Sequence, residues 1–351
     1  MDMDRTSPNG ADAPLLSLRD VDISFGSGAR PLRVVSGVSF DIAPGEAVGL
    51  VGESGSGKSL TSLATMRLLA EPPARVTGEI TFDGRDLLKL PKSEMPALRG
   101  RDIAMIFQEP MSSLNPVMTV EAQIAEAIRL HEPLSRSACR ERVLDLLSLV
   151  GIPDPESRLR SYPHQFSGGM RQRVMIAIAV ACNPRLLIAD EPTTALDVTI
   201  QAQVLDLMRD VRRTLGTAVL MISHDLGVIA ELCERVVVMY AGRVVEDADI
   251  ASLFEDPQHP YTQGLLRAVP SLDAHADRLY QIPGSVPPAG TIRKGCPFAA
   301  RCHLRMDICD EEMPPMTRRG PGQRAACWAT APEGESLPEP APVPEPDGVA
   351  P

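Results

Sequence analysis

The residues best placed for chemistry are Gly52-Glu53-Ser54-Gly55-Ser56-Gly57-Lys58-Ser59, which fit the G-x-x-x-x-G-K-[S/T] pattern of a phosphate-binding loop. The glycines let backbone N–H groups close on a phosphate, and a helix start behind them adds partial positive charge. Lys58 is then in reach of the β- and γ-phosphates, and the Ser59 hydroxyl suits Mg²⁺. A pattern this loose also arises by chance, so its surroundings matter. A second group, Asp190-Glu191, ends the apolar run Leu186 to Ala189. Adjacent carboxylates there separate two tasks by one peptide step: Asp190 organises the metal shell and Glu191 activates water. In an arbitrary chain such acids are only a solvated strand end. A third stretch, Ser167-Gly168-Gly169-Met170-Arg171-Gln172, opens a helix, with Ser167 as its cap and two glycines baring N–H groups to a second anion.

These groups need a scaffold that brings them to one edge. Ala47 to Val51 reads as a strand buried on both faces, and Leu60 to Ala70 as the helix after the loop. Leu16 to Phe25 alternates apolar and polar residues, a half-buried strand, with a turn at Gly26-Ser27-Gly28. Further strands are expected at Val34 to Ile42, Val76 to Phe82 and Ile103 to Phe107. From Met111 to Tyr162 the period turns helical, which reads as an insertion. Strand and helix then alternate: Arg185 to Ala189, Val198 to Leu215, Ala218 to Ser223, Leu226 to Cys233 and Val236 to Tyr240. Such alternation argues for an α/β fold with a mostly parallel sheet. The carboxylate strand is expected directly beside the phosphate-loop strand.

The chain has 351 residues and a formal net charge of −11, which argues against general nucleic-acid binding. No apolar run approaches the roughly 18 residues of a membrane span, and the acidic, polar start lacks the form of a signal peptide. Residues 1–12 and 331–351 have the composition of disordered tails. Of seven cysteines, Cys139, Cys182 and Cys233 are scattered and expected to be buried hydrophobes.

Taken together and in order, these motifs resemble the ATP-binding subunits of ABC transporters, over about residues 15 to 250. The resemblance implies a P-loop NTPase of the ABC type, with a RecA-like core, a β-subdomain, a helical subdomain at about 111–165 and a cassette spanning 13–256. It implies ATP contacts from Phe25, stacking on adenine, and from Gly52, Glu53, Ser54, Gly55, Ser56, Gly57, Lys58, Ser59 and Leu60. Mg²⁺ falls to Ser59, Gln108 and Asp190, and catalysis to Glu191, His224 and Gln108. Ser167, Gly168, Gly169, Met170 and Gln172 form the signature that meets the partner's ATP, and Asp197 the D-loop. Taken alone, His224 after an apolar run is more often structural, and Gln108 at a strand end more often caps a turn.

The runs Gln108 to Pro116, Ala189 to Gln203 and His259-Pro260-Tyr261-Thr262 resemble, more narrowly, the dipeptide/oligopeptide importer branch, which also includes nickel and glutathione systems. That implies an ATPase at the cytoplasmic face of the inner membrane, with two permease subunits, a second ATP-binding subunit and an extracytoplasmic solute-binding protein. A soluble ABC ATPase of DNA repair or the ribosome usually carries tandem cassettes or coiled coils, and this chain shows neither. A subunit that binds nucleotide without hydrolysing it is the third class, and intact Glu191 and His224 argue against it.

After about Asp256 the composition shifts toward Pro, Gly and isolated charges, and residues 271–330 are too rich in Pro, Gly and Arg for a large core, so 257–330 reads as a small appended extension that needs a staple. Cys296, Cys302, Cys309 and Cys327 supply four thiols suited to zinc or an iron–sulfur cluster, spaced more widely than zinc-ribbon pairs, or are plain unpaired cysteines of a small domain. The importer branch has a similar cysteine pattern, and the resemblance implies a [4Fe–4S] cluster there. His303 beside Cys302 is an alternative ligand.

Overall fold

The computed structural model describes residues 13–26, 31–108, 113–194, 196–268, 280–291 and 294–330. The tails 1–12 and 331–351, Ser27 and Gly28 of the first turn, residues 109–112 after Gln108, and Ala195 lie outside the described residues.

Strands β1 (Leu16–Phe25), β2 (Leu32–Ile42), β4 (Ala74–Phe82) and β5 (Arg85–Asp86) form an antiparallel sheet in the order β2-β1-β4-β5. The alternation in β1 works as its sequence implies: Leu16, Leu18, Val21 and Ile23 are all buried. The second sheet joins β3 (Ala47–Val51), β6 (Ile103–Ile106), β7 (Leu186–Asp190), β8 (Ala218–Ser223), β9 (Arg235–Tyr240), β10 (Arg243–Asp249), β11 (Thr317–Gly320) and β12 (Gln323–Ala325). Its order is β11-β12-β10-β9-β3-β8-β7-β6. The pairs among β9, β3, β8, β7 and β6 are parallel.

The parallel strands are apolar throughout because each face meets its own core. Val48, Leu50, Ile188, Leu220 and Ile222 pack toward the antiparallel sheet. Val51, Leu187, Ala189, Val219 and Met221 pack toward the helices. That second core takes in the helices Val120–Arg129, Arg136–Leu149, Gly168–Ala179, Val198–Leu215 and Leu226–Leu232. Cys139, Cys182 and Cys233 are buried within it or against it.

Three features depart from the sequence expectations. The helix after the phosphate loop runs Lys58–Thr65 and stops well before Ala70. Arg67 takes a left-handed conformation (φ 50°), and its guanidinium turns away to Leu87 O and Leu90 O, at 3.0 and 2.6 Å. The carboxylate strand β7 is not the neighbour of β3, because β8 lies between them. Third, residues 257–330 do not form a separate lobe. The hairpin β11–β12 pairs antiparallel with β10 and extends the main sheet.

Buried charges make that junction. Glu246 is fully buried and accepts the backbone N–H groups of Gln258 and His259, at 2.8 and 2.9 Å, and the Gln323 amide at 3.1 Å. Asp247 pairs with Arg235 and Arg324, at 2.7 and 2.5 Å. Tyr261 is buried among Tyr240 and Phe298, with ring centroids 4.7 and 5.5 Å away. Strand pairing, ion pairs and aromatic packing therefore hold this extension to the main sheet.

Candidate active site

The phosphate loop joins β3 to its helix, and backbone contact sets its shape. A Cβ on Gly52 would stand 2.1 Å from the Met239 carbonyl oxygen, so only glycine fits against β9 there. Gly55 and Gly57 both adopt positive φ, 81° and 96°. Ser56 is buried, and Ser54 and Gly55 are exposed at the tip. Leu60 seats the helix on the β-sheet core. Lys58 curls back, its Nζ donating to Gly52 O and Glu53 O at 2.7 and 3.1 Å. Burial pulls the ammonium below its ordinary value, against Glu191, Asp190 and Glu53, which favour its charge.

Although β8 separates the strands, the chemistry still converges. All the parallel strands end at the same edge, and the helix from Lys58 leans across it. The Ser59 Oγ donates to Asp190 Oδ1 at 3.1 Å. Burial raises the Asp190 carboxyl above its ordinary value, with the Ser59 bond opposing. The next residue, Glu191, has φ 47°, a strained conformation for a residue with a side chain. Its Oε2 accepts from Gln108 Nε2 at 3.0 Å and from Thr194 Oγ1 at 2.8 Å. His224 Nδ1 lies 3.4 Å from Oε1. Burial opposes the charge of Glu191, but Thr194, His224 and Lys58 outweigh it and hold the carboxylate below its ordinary value. Gln108, Glu191 and His224, three residues far apart in sequence, meet at hydrogen-bonding range; Thr194 completes the group and carried no signal of its own in the sequence.

The signature stretch opens the helix Gly168–Ala179, with Ser167 Oγ accepting the Met170 N–H at 3.3 Å. Gly168 faces open space, and a Cβ on Gly169 would meet Ile200 at 2.9 Å. Met170 packs partly buried on the core, while Gln172 is fully buried and donates to Pro192 O at 2.6 Å. That bond ties the signature helix to the loop that follows Glu191. Asp197 caps the helix Val198–Leu215 through Ile200 N–H, at 3.0 Å. Phe25 ends β1 half-buried, its backbone paired with Leu32. Leu32, Gly55, Pro288 and Gly290 line one cavity of about 470 Å³, which Arg33 and Arg243 make cationic. Its size is that of a small-molecule site.

Residues 35–194 match the family model described as ABC transporter, and residues 245–309 match "Oligopeptide/dipeptide transporter, C-terminal region". The chain is 50% identical to the dipeptide transport ATP-binding protein DppD of Bacillus subtilis, over 90% of this chain and 94% of that one. It is 48% identical to the oligopeptide transport ATP-binding protein OppD of Escherichia coli, over 91% and 94%. The chain belongs to the ATP-binding subunits of ABC transporters, in the oligopeptide/dipeptide family. Among solved structures, this ABC subunit is similar to the dimeric cassette MJ0796 in a post-hydrolysis state bound to ADP and Pi. The TM-score is 0.60 at 27% identity, covering 67% of this chain and 98% of that one. Among the described residues no helix is long and apolar enough to cross a membrane.

Contacts to the Gly52–Ser59 loop also come from beyond the cassette motifs. The Glu53 N–H donates to the Tyr261 hydroxyl at 2.8 Å, and the Glu53 carboxylate receives Arg301 Nη1 at 3.1 Å on both oxygens. Tyr261 stood within a motif, but nothing marked it as a loop contact. Arg301 lay in a Pro- and Arg-rich segment without periodicity.

Beside Arg301, all four late cysteines line one small, largely apolar void with Phe298 and Leu304. The void is about 10 Å³, room for a single water. Burial raises the thiols of Cys296 to about 12 and Cys302 to about 11, and Cys327 is raised as well. Among the described residues no three His, Cys, Asp or Glu side chains are grouped to hold one metal ion, and this applies to the four cysteines and to His303 alike.

Proposed function

We propose that this chain is the ATP-hydrolysing half of an importer for di- and oligopeptides, and that its nucleotide is closed between two such subunits. The observation that carries the reading is the convergence on Glu191: Gln108, Thr194 and His224 surround a carboxylate one residue from the Ser59–Asp190 pair. Glu191 is held ionised and accepts a proton from the attacking water, while Gln108 and His224 orient that water and the γ-phosphate. Lys58 leaves Gly52 and Glu53 for the β- and γ-phosphates. Ser59 and Asp190 offer hard oxygen donors 3.1 Å apart, the chemistry Mg²⁺ takes, with Gln108 on the adjoining strand end. Ser59 and Asp190 would hold Mg²⁺, which would supply neutralisation of the charge developing on the phosphates.

We assign the base and sugar to the cationic cavity lined by Leu32, Arg33, Gly55 and Arg243. Residues Ser167 to Gln172 serve the nucleotide of the partner subunit: Gly168 bares a helix start to open space, aimed at a second triphosphate. Asp197 heads the helix packed against it. ATP then bridges two positively polarised surfaces, and its hydrolysis releases them. We assign 13–256 to the cassette and 257–330 to an extension that shares its sheet. The chain works on the inner face of the membrane beneath two permeases, with a sister or identical ATPase, and an external solute-binding protein acts through the permeases. The peptide cargo rests on kinship, since the C-terminal family and the relatives DppD and OppD are those of peptide transporters.

The test is Glu191→Gln in the chain assembled with its partners. The variant should bind ATP, accumulate as a closed dimer and lose hydrolysis by about a hundredfold or more. Hydrolysis at the wild-type rate would remove Glu191 from this role. Uptake assays in proteoliposomes with peptides, nickel and glutathione separate the cargo classes.

For the extension, we propose that Cys296, Cys302, Cys309 and Cys327 hold a [4Fe–4S] cluster. What supports this is the donor set: four thiols around one apolar void. The void is water-sized and the thiols do not yet converge on one metal position, so loading requires the loops to rearrange around the cluster, and the raised thiols must give up protons. Anaerobic purification should yield iron, sulfide and a visible absorbance; a colourless, iron-free protein would refute it.

A further inference from the structure

We infer that Arg301 and Tyr261 are positioning residues for the phosphate loop, holding it ready for ATP from outside the cassette motifs; the inference rests on the ATP-binding reading above. A loop built on Gly52, Gly55 and Gly57 has many backbone conformations to lose when it closes on a phosphate. Whatever fixes it beforehand tightens binding. In this chain both tethers reach Glu53, the residue after the first glycine. One is the Tyr261 hydroxyl on its backbone N–H, and the other is the Arg301 guanidinium on its carboxylate.

Arg301 is itself immobilised. Its side chain is 6% exposed, and the guanidinium lies over the Tyr240 and Phe298 rings at 5.7 and 5.9 Å. It also donates to Tyr240 Oη, Ile282 O and Pro283 O, at 3.2, 3.2 and 2.8 Å. Tyr261 is fully buried between the same rings. The clamp therefore has rigid arms, and it takes only the N–H and the carboxylate of Glu53, leaving the Glu53 carbonyl to Lys58 Nζ and Ser59 to Asp190. Neither arm touches the residues around Glu191, so the clamp should govern nucleotide capture and leave the chemical step alone.

The experiment compares Tyr261→Phe, Arg301→Met, Glu53→Gln and the double variant Arg301→Met/Glu53→Gln in the full chain assembled with its partners. ATP binding is read with a fluorescent ATP analogue, and steady-state hydrolysis gives KM and kcat separately. Tyr261→Phe and Arg301→Met should each weaken ATP binding and raise KM by about fivefold. In Tyr261→Phe and Arg301→Met the kcat should stay within about twofold of wild type. The double variant should be no worse than the worse single, because both remove one ion pair. Tyr261→Phe deletes a single hydroxyl and keeps the ring packing, so it tests the idea even if Arg301→Met folds poorly. Wild-type KM and affinity in folded Tyr261→Phe, or additive losses in the double variant, would overturn the inference alone. Failure of the wild-type chain to bind ATP would instead sink the functional reading, and this inference with it.

Discussion

At Glu191 the backbone and the side chain make one device. A left-handed φ of 47° is tolerated because Glu191 N–H bonds Ile222 O at 3.0 Å and the side chain is caught by Gln108 and Thr194. Thr194 donates the shortest of those side-chain bonds, at 2.8 Å. Thr194→Val keeps the shape and deletes the donor. It should lower kcat by roughly threefold to tenfold with little change in KM for ATP. The pH profile gives an independent check. Thr194 stabilises the charged form of Glu191, so its loss moves the carboxylate pKa upward, and the acidic limb of the kcat profile should shift to higher pH. The same sign holds for stability. A carboxylate held below its ordinary value of 4.5 adds stability that is present above that value and is lost as pH falls through the native pKa. Gly52, Lys58, Asp190 and Glu191 stand out as candidates in the sequence because the chemistry they suggest needs those residue types at fixed offsets. Thr194 does not, since a hydroxyl in a turn serves so many purposes that its type alone points nowhere.

Strands and helices were read from periodicity, and the misreadings have physical causes. Apolar strands such as β7 and β8 look alike when both faces are buried, so periodicity cannot say which of them adjoins β3. The early end of the helix Lys58–Thr65 follows from Arg67 bonding two distant carbonyls, a tertiary effect. The contact of β12 with β10 was invisible because Gln323–Ala325 is too short to show alternation and its register depends on the buried Glu246. Each oxygen of Glu246 accepts a different backbone N–H, from Gln258 and His259. Glu246→Gln would turn an amide NH₂ toward one of those donors. It should destabilise the chain by about 1–3 kcal/mol, measured by chemical denaturation. An unchanged midpoint and slope would mean that the carboxylate contributes no net hold on this junction.

For the molecule as a unit, the two-part organisation was foreseen from composition, yet the depth of the union was not. Removing residues 257–351 takes β12 away from β10 and strips the packing from Tyr240. An unpaired strand edge invites association with other chains. The truncated protein should have a lower melting temperature and should self-associate, as light scattering after size exclusion would show. A monomeric, equally stable truncation would argue that the hairpin is dispensable to the cassette.

The hairpin's seat in the main sheet also limits how such subunits can be recombined. Swapping tails between relatives at residue 256 would ask a foreign strand to match the register Glu246–Ala325 and a foreign arginine to find Glu53. A graft that carries β10 and its own Glu53 along with the tail keeps both halves of each handshake, and hybrids cut that way are the ones that should retain nucleotide capture.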